Sequence, residues 1–337
     1  MSILPKRGRG RQSPSRESQY HDEVSAFCRL VTQIASTLDF KVSSRGWGYI
    51  LEEHGLLKTE FDAAQKLIND CRKSGDLPID ICAEDEARLT DNLEDIDEET
   101  PEEFARDRID AIRRSYGWYT PISFWEYQPN YIEMWVEKID LKNLFNPICV
   151  EYSLPLANTK GWNGINSRAA IMRRFAYWEA RGRQCVLLFC GDHDPGGLVI
   201  SGSLRSNLYD LSQAVGWNPQ NLIIDRFGLN EDFINDQGLT WIDNLQTSQG
   251  AYPLDDPRHP DHTKSYVQSY LRMFGARKVE ANALVVRPEA GRLLCRQAIE
   301  RYIDLEGVAR YEAALLEHRD AVRTEISRLI GGFEGRA

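Results

Sequence analysis

The 337-residue sequence has no C-x-x-C pair among its seven cysteines. That argues against a zinc ribbon and against a disulfide framework. Cys28, Cys71, Cys149, Cys185, Cys190 and Cys295 all lie in segments that read as structured. Reduced, mostly buried thiols in a cytoplasmic protein are therefore expected. No apolar run approaches the length of a membrane span, and the N-terminal residues lack the apolar core of a secretory signal, so no membrane association is expected. There is no G-x-x-x-x-G-K-S/T sequence, and hence no phosphate-binding loop of the ATPase type. What remains is an ordinary globular composition rich in Trp and Tyr, in a chain long enough for two or three domains.

The net charge of −10 speaks against a nucleic-acid binder until its distribution is considered. Residues 84–103 hold eleven acids against one base, Arg88, and carry the whole −10 by themselves. Lys6, Arg7, Arg9, Arg11 and Arg16 fall in the first sixteen residues with no acid among them. Local patches, not the total, decide whether a polyanion is bound. Residues 1–20 read as a disordered basic arm, either touching phosphates or simply solvated. Residues 84–103 read as an acidic linker, a solvated spacer rather than a DNA mimic.

Residues 21–83 carry three helical patterns. Phe27, Leu30, Val31 and Ile34 form one apolar stripe. Arg45 to Leu51 forms a short second helix ended by Gly55. Thr59-x-x-Asp62 reads as a capping box for a third, which presents Phe61, Ala64, Leu67, Ile68 and Cys71 on one side and Lys66, Arg72 and Lys73 elsewhere. Gly75 closes that helix, and Leu77-Pro78-Ile79 is placed to begin a β-wing. These are the parts of a winged-helix DNA-binding module, although a small helical bundle without a DNA role shares the pattern.

Residues 104–308 read as a second domain with an aromatic lead-in (Tyr116, Trp118, Tyr119, Phe124, Trp125), followed by a C-terminal helix over 309–337. Alternation over Tyr131–Glu137 predicts a strand, Leu141–Tyr152 a helix and Leu156–Thr159 a short strand. A helix over Ser167–Ala180, a strand over 184–190, a helix over Leu204–Val215 and a strand over Leu222–Asp225 follow. This order implies an α/β domain, a parallel sheet with helices on both faces, within a multidomain α+β chain. Tyr266–Phe274 reads as another helix. In the final helix Leu315, Val322, Ile326 and Leu329 share a face suited to docking or to a dimer contact.

The segment from Val186 to Gly197 is the chemically informative one. Its apolar run ends in Asp192-His193-Asp194-Pro195-Gly196-Gly197. In a strand, residues two apart share a face, so both carboxylates are expected to project together. Such a pair repels in a dry site unless a cation lies between its members, and hard oxygen ligands suit Mg²⁺. Glu137 ends the first strand as Asp192 ends the third, and ligands of parallel sheets gather at strand carboxyl ends. Two plainer readings compete: an acidic turn after a buried strand, and a Glu137 paired only with Lys138. His259, Asp261 and His262 suit a metal by type, but their Pro- and Asp-rich surroundings read better as a solvated loop.

Glu137 together with Asp192-x-Asp194-Pro195-x-Gly197 resembles the Toprim domain, in the form found in topoisomerase VI A subunits. Arg45-x-x-x-Tyr49 resembles the tyrosine motif in the winged-helix domain of the same family, although Gly48 stands where members carry an aromatic. That family includes the meiotic double-strand-break transesterase and the stand-alone Mini-A proteins, which are closest to this chain in size. The resemblance covers roughly residues 25–80 and 130–300, and Asn282 in Glu280-Ala281-Asn282-Ala283-Leu284 looks like a further, structural family feature.

The resemblance implies cleavage of double-stranded DNA by transesterification. Tyr49 would be the nucleophile and stay linked to the 5′ phosphate. Arg45, at i+4 on the same helix face, would stabilise the phenolate or clamp the phosphate. Glu137, Asp192 and Asp194 would hold Mg²⁺, with Glu137 alternatively the general acid. It further implies a homodimer in which the tyrosine of one subunit serves the acids of the other, a nucleoid-associated location, and a separate ATPase subunit for any strand passage. Three alternatives stay open: a Toprim nuclease using metal-activated water, a non-enzymatic DNA-binding module, and a glycosyltransferase using its Asp-x-Asp. Tyr49 has its own plainer reading, as a core aromatic packed on Trp47 or Phe61.

Overall fold

The computed structural model describes residues 2–7, 13–83, 99–159, 164–247 and 252–334. Helix α1 (Pro14–Ala35) begins where Ser13 accepts the Arg16 N–H and Pro14 occupies the first turn. It thus starts inside the segment expected to be a disordered arm. Residues 3 and 4 of that arm pack on the core, and Lys6 pairs with Glu60 at 2.7 Å. Helix α2 (Ser44–Glu52) is capped by Ser43. Helix α3 (Phe61–Ser74) ends at the left-handed Gly75. Its expected capping box at Thr59 and Asp62 does not form, because a 3₁₀ turn over Lys58–Glu60 runs straight into the helix and the Glu60 carboxylate accepts the Leu57 N–H instead.

The three N-terminal helices are present, but Leu77-Pro78-Ile79 forms no strand of a wing. A single parallel bridge, Val42 to Cys82, stands there, and Pro78 has no N–H to give a ladder. Of the expected acidic linker, residues 84–98 lie outside the described residues. Its last three residues belong to helix α4 (Pro101–Arg114), where Thr100 and Glu103 close a capping box. Acids in a first turn oppose the helix dipole favourably, so the charge that read as a linker is partly a helix start.

The sheet has four parallel strands, β1 (Asn130–Val136), β2 (Leu156–Asn158), β3 (Gln184–Cys190) and β4 (Ile223–Gly228), in the order β2-β1-β3-β4. Helix α5 (Ile139–Glu151) joins β1 to β2, and α6 (Ile165–Glu179) carries the chain back past β1 to β3. Right-handed crossovers running in opposite directions put these helices on opposite faces. Helix α7 (Pro195–Leu198), α8 (Ile200–Tyr209) and α9 (Ser212–Val215) follow β3, so the single helix expected over 204–215 is divided. Then come α10 (Glu231–Asp236), α11 (Ser265–Phe274), α12 (Pro288–Glu300) and the long α13 (Leu305–Glu334). Helix α12 packs with α5, and α6 packs with α8 and α9. With both faces covered, every residue from Tyr131 to Val136 is buried, as in parallel sheets generally.

The result is a mixed α+β chain with a small parallel sheet flanked by helices. One apolar core runs from Phe27 in α1 through the sheet to Ile299 in α12, and a smaller cluster joins Val267 and Tyr270 of α11 to Leu245 and Leu254. All seven cysteines are buried thiols, none of them in a disulfide. Among the described residues no helix is long and apolar enough to cross a membrane.

Candidate functional site

The direction in which successive connections cross the sheet reverses at β1, since β2 lies to one side of β1 and β3 to the other. The carboxyl ends of β1 and β3 form the switch-point crevice where parallel sheets bind ligands. Val136 is in register with Cys190, so the residues that follow, Glu137 and Gly191-Asp192, meet across the sheet edge. Glu137 Oε2 accepts the Asp192 backbone N–H at 2.9 Å. Glu137 Oε1 accepts from Lys138 Nζ at 2.8 Å, and the same ammonium stands 3.0 Å from Asp192 Oδ2. Asp192 Oδ1 accepts the Ala281 N–H at 2.7 Å, and only 6% of this residue is exposed. Arg226 of β4 donates to the Asp192 carbonyl at 3.2 Å. A Cβ on Gly197 would lie 2.1 Å from that same carbonyl, so only glycine allows α7 to approach so closely.

Asp194 does not join the other two acids. Its Oδ1 accepts the Gly197 N–H at 2.6 Å and caps α7. The strand ends at Cys190, so the alternation that would aim residues 192 and 194 the same way has already stopped. Among the described residues no three His, Cys, Asp or Glu side chains form a group able to hold a metal ion. What survives of the three-acid expectation is a pair, Glu137 and Asp192, and the Lys138 pairing set against it is also present.

The electrostatics of the pair follow from burial and from one ammonium serving two acids. Burial pushes Asp192 up, to about 7, against the pull of Lys138. Burial also raises Glu137, but the Lys138 ammonium and the Asp192 N–H outweigh it and hold this carboxyl below its ordinary range. Burial would lower Lys138, yet Asp192 and Glu137 together hold it well above its usual value. Two hard oxygens from two strand ends converge on one positive charge, the Lys138 ammonium. One or two carboxylates are the usual protein share of a Mg²⁺ site, so the donor type of this pair is one that ion takes.

Tyr49 lies on α2 with 1% of its surface exposed. Its ring meets Phe61 edge-on at 5.0 Å between centroids, as the core-packing reading has it. Its hydroxyl donates to Glu280 Oε2 at 2.8 Å. Arg45 Nε donates to the same oxygen at 3.3 Å, and its Nη1 reaches Asp62 at 3.2 Å. Lys278 Nζ stands 3.5 Å from Glu280 Oε1. Burial, then the Glu280 charge, holds the Tyr49 hydroxyl well above its ordinary value, with Arg45 opposing. A Cβ on Gly48 would stand 2.8 Å from Phe61 Cδ2, which accounts for glycine where an aromatic was expected.

The two clusters share a backbone. Glu280 receives Tyr49, and the next residue, Ala281, holds Asp192. The motif around Asn282 includes Glu280 but gives it no role, no motif includes Lys278, and Lys138 enters the sequence reading only as a rival partner for Glu137. The sequence signal for Glu280 and Lys278 is an acid two residues after the Arg277-Lys278 pair, beside a buried segment. Asn282 is buried in the 3₁₀ turn over Ala281–Val286, and its Oδ1 has no hydrogen-bond partner among the described residues. His259 Nδ1 accepts the Asp261 N–H at 3.0 Å, and His262 Nδ1 pairs with the Leu254 carbonyl at 2.8 Å. Those histidines hold their own loop together. No protein-family model, curated protein or solved structure matches this chain.

Proposed function

We propose that the chain cleaves double-stranded DNA in a Mg²⁺-dependent transesterification, with a winged-helix-like N-terminal module carrying Tyr49 and a Toprim-like sheet carrying the acids. The observation that carries this reading is the convergence of Glu137 and Asp192 on a single cation position at the switch point, one residue from the Glu280 that holds Tyr49. Bound there, Mg²⁺ would supply charge stabilisation for a phosphoryl oxygen. Glu137, held ionised by its ammonium partner, suits a ligand better than a general acid. Tyr49 Oη would form the bond to phosphorus while the 3′ oxygen leaves and takes a proton from water. The tyrosine's own proton would pass to Glu280, which already accepts it. Arg45, a half-buried guanidinium beside that hydroxyl, would clamp the phosphate. Exposed Lys66 and Lys73 on α3 supply positive charge to the same module. A homodimer, and an ATPase from another chain for strand passage, belong to the same reading.

The burial of Tyr49 favours a second reading, hydrolysis by water activated at the same two acids. One assay separates them: supercoiled plasmid incubated with the protein and Mg²⁺, run with and without proteinase digestion, for wild type and Tyr49→Phe. The expected result is nicked or linear product seen only after digestion and absent from the variant. Product at the wild-type rate from Tyr49→Phe means hydrolysis, and no Mg²⁺-dependent product from either protein overturns both readings.

A further inference from the structure

Two cations cannot occupy one point. The Lys138 ammonium stands 2.8 Å from Glu137 Oε1 and 3.0 Å from Asp192 Oδ2, the oxygens a divalent ion would need. A lysine follows Glu137 directly in the chain and leads into α5, so its backbone is fixed by the same strand end that fixes the acid. Its side chain keeps 29% of its surface exposed, which leaves the long stem a path outward to solvent.

From this geometry we infer that Lys138 is an internal counter-ion that competes with Mg²⁺ for the Glu137–Asp192 pair and is expelled when the metal enters. The inference rests on the reading that these two acids hold a divalent cation. Metal binding is then an exchange of one cation for another. Without metal, the ammonium keeps two crowded carboxylates from repelling each other. With metal, the released ammonium is free to pair with a non-bridging oxygen of the DNA backbone. Lys138 is thus a positioning residue in the resting protein. The metal-ready arrangement, with Lys138 outward, is a minor one, and the apparent metal affinity is reduced by its population.

Calorimetric titration of the full chain with Mg²⁺ tests this on wild type, Lys138→Met, Lys138→Gln and the double variant Lys138→Met with Asp192→Asn. If the metal-ready arrangement is about a tenth of the wild-type population, both single variants bind Mg²⁺ about tenfold more tightly, and the double variant loses that binding. A second measurement needs no variant: Mg²⁺ raises the rate at which the Lys138 amine of the wild-type protein is acetylated, read by mass spectrometry of the peptides. Binding that depends on Asp192 but is equal or weaker in the Lys138 variants, with an unchanged acetylation rate, overturns the counter-ion role and leaves the metal site standing. Absence of Asp192-dependent binding in every protein overturns the metal reading and the inference with it.

Discussion

His193 sits between the two aspartates and faces a different environment from either. Its ring meets Phe274 edge-on at 4.7 Å and Trp241 at 5.3 Å, and its Nδ1 stands 3.0 Å from the Tyr270 hydroxyl. That hydroxyl has one proton, which it gives to a backbone carbonyl, His193 or Arg277, each at 2.9 Å. With the hydroxyl proton directed to a carbonyl, Nδ1 is the ring nitrogen that donates, and the charge of the ring is set by its burial. Burial, with Arg226 nearby, pushes its pKa down to about 4. In the unfolded chain the value is about 6.5. A basic group with a depressed folded pKa contributes its stability in full above the unfolded value. That contribution is lost progressively as pH falls from about 6.5 towards about 4, because only the unfolded state gains the proton. The expected outcome is a His193 ring resonance that stays neutral in NMR titration down to roughly pH 5, with the wild type losing its stability advantage over His193→Gln across the same window. A ring that titrates near the ordinary value would show that the aromatic enclosure opens freely.

Strand β1 shows how an element can look amphipathic and yet be buried on both faces. Glu133 lies in its middle with 1% exposure, held by Arg174 of α6 through two bonds of 2.8 Å and by the Tyr131 hydroxyl at 2.9 Å. Replacing Arg174 by Met strands a buried carboxylate, and a loss of about 3 kcal/mol in urea-denaturation stability is expected. The double change Arg174→Met with Glu133→Gln is expected to cost clearly less, because no charge is left unpaired. Equal losses in the single and double variants would mean that packing, not pairing, is what Arg174 supplies. The same strand explains what was legible in advance. Alternation and apolar runs placed β1, α5, β2, α6 and β3 close to their observed positions, because periodicity is local. Turn geometry was not legible: Asp194 became a helix cap, and the wing did not form at Pro78. Nor was the partner of Tyr49, because Glu280 lies 231 residues away and meets it only through tertiary packing. Lys138 was visible as a neighbour of Glu137, but its second contact, to Asp192, depends on the register of β1 with β3.

The N-terminal helices and the sheet are joined at a carboxylate that belongs neither to the Glu137–Asp192 pair nor to the Tyr49–Glu280 pair. Asp140, in the first turn of α5, is fully buried and accepts both the backbone N–H and the hydroxyl of Ser43, the latter at 2.5 Å. Ser43 in turn caps α2 by accepting the Gly46 N–H at 3.1 Å. The helix that carries Tyr49 is therefore anchored to the helix that follows Glu137, and the apolar core continues across that junction. Position of the tyrosine relative to the acids depends on this joint and on Glu280, from opposite ends of α2. Asp140→Ala removes the acceptor of both Ser43 donors, and a stability loss of about 2–3 kcal/mol is expected, with Asp140→Asn losing less because one carbonyl oxygen remains. Because one core spans both regions, unfolding is expected to remain a single urea transition. Amide exchange in α2 should nevertheless quicken more than exchange in β1 and β3, since the cap and its anchor are lost together. An unchanged midpoint, or equal acceleration in α2 and in the sheet, would show that apolar packing alone docks the tyrosine-bearing helix and that Asp140 does not set its place.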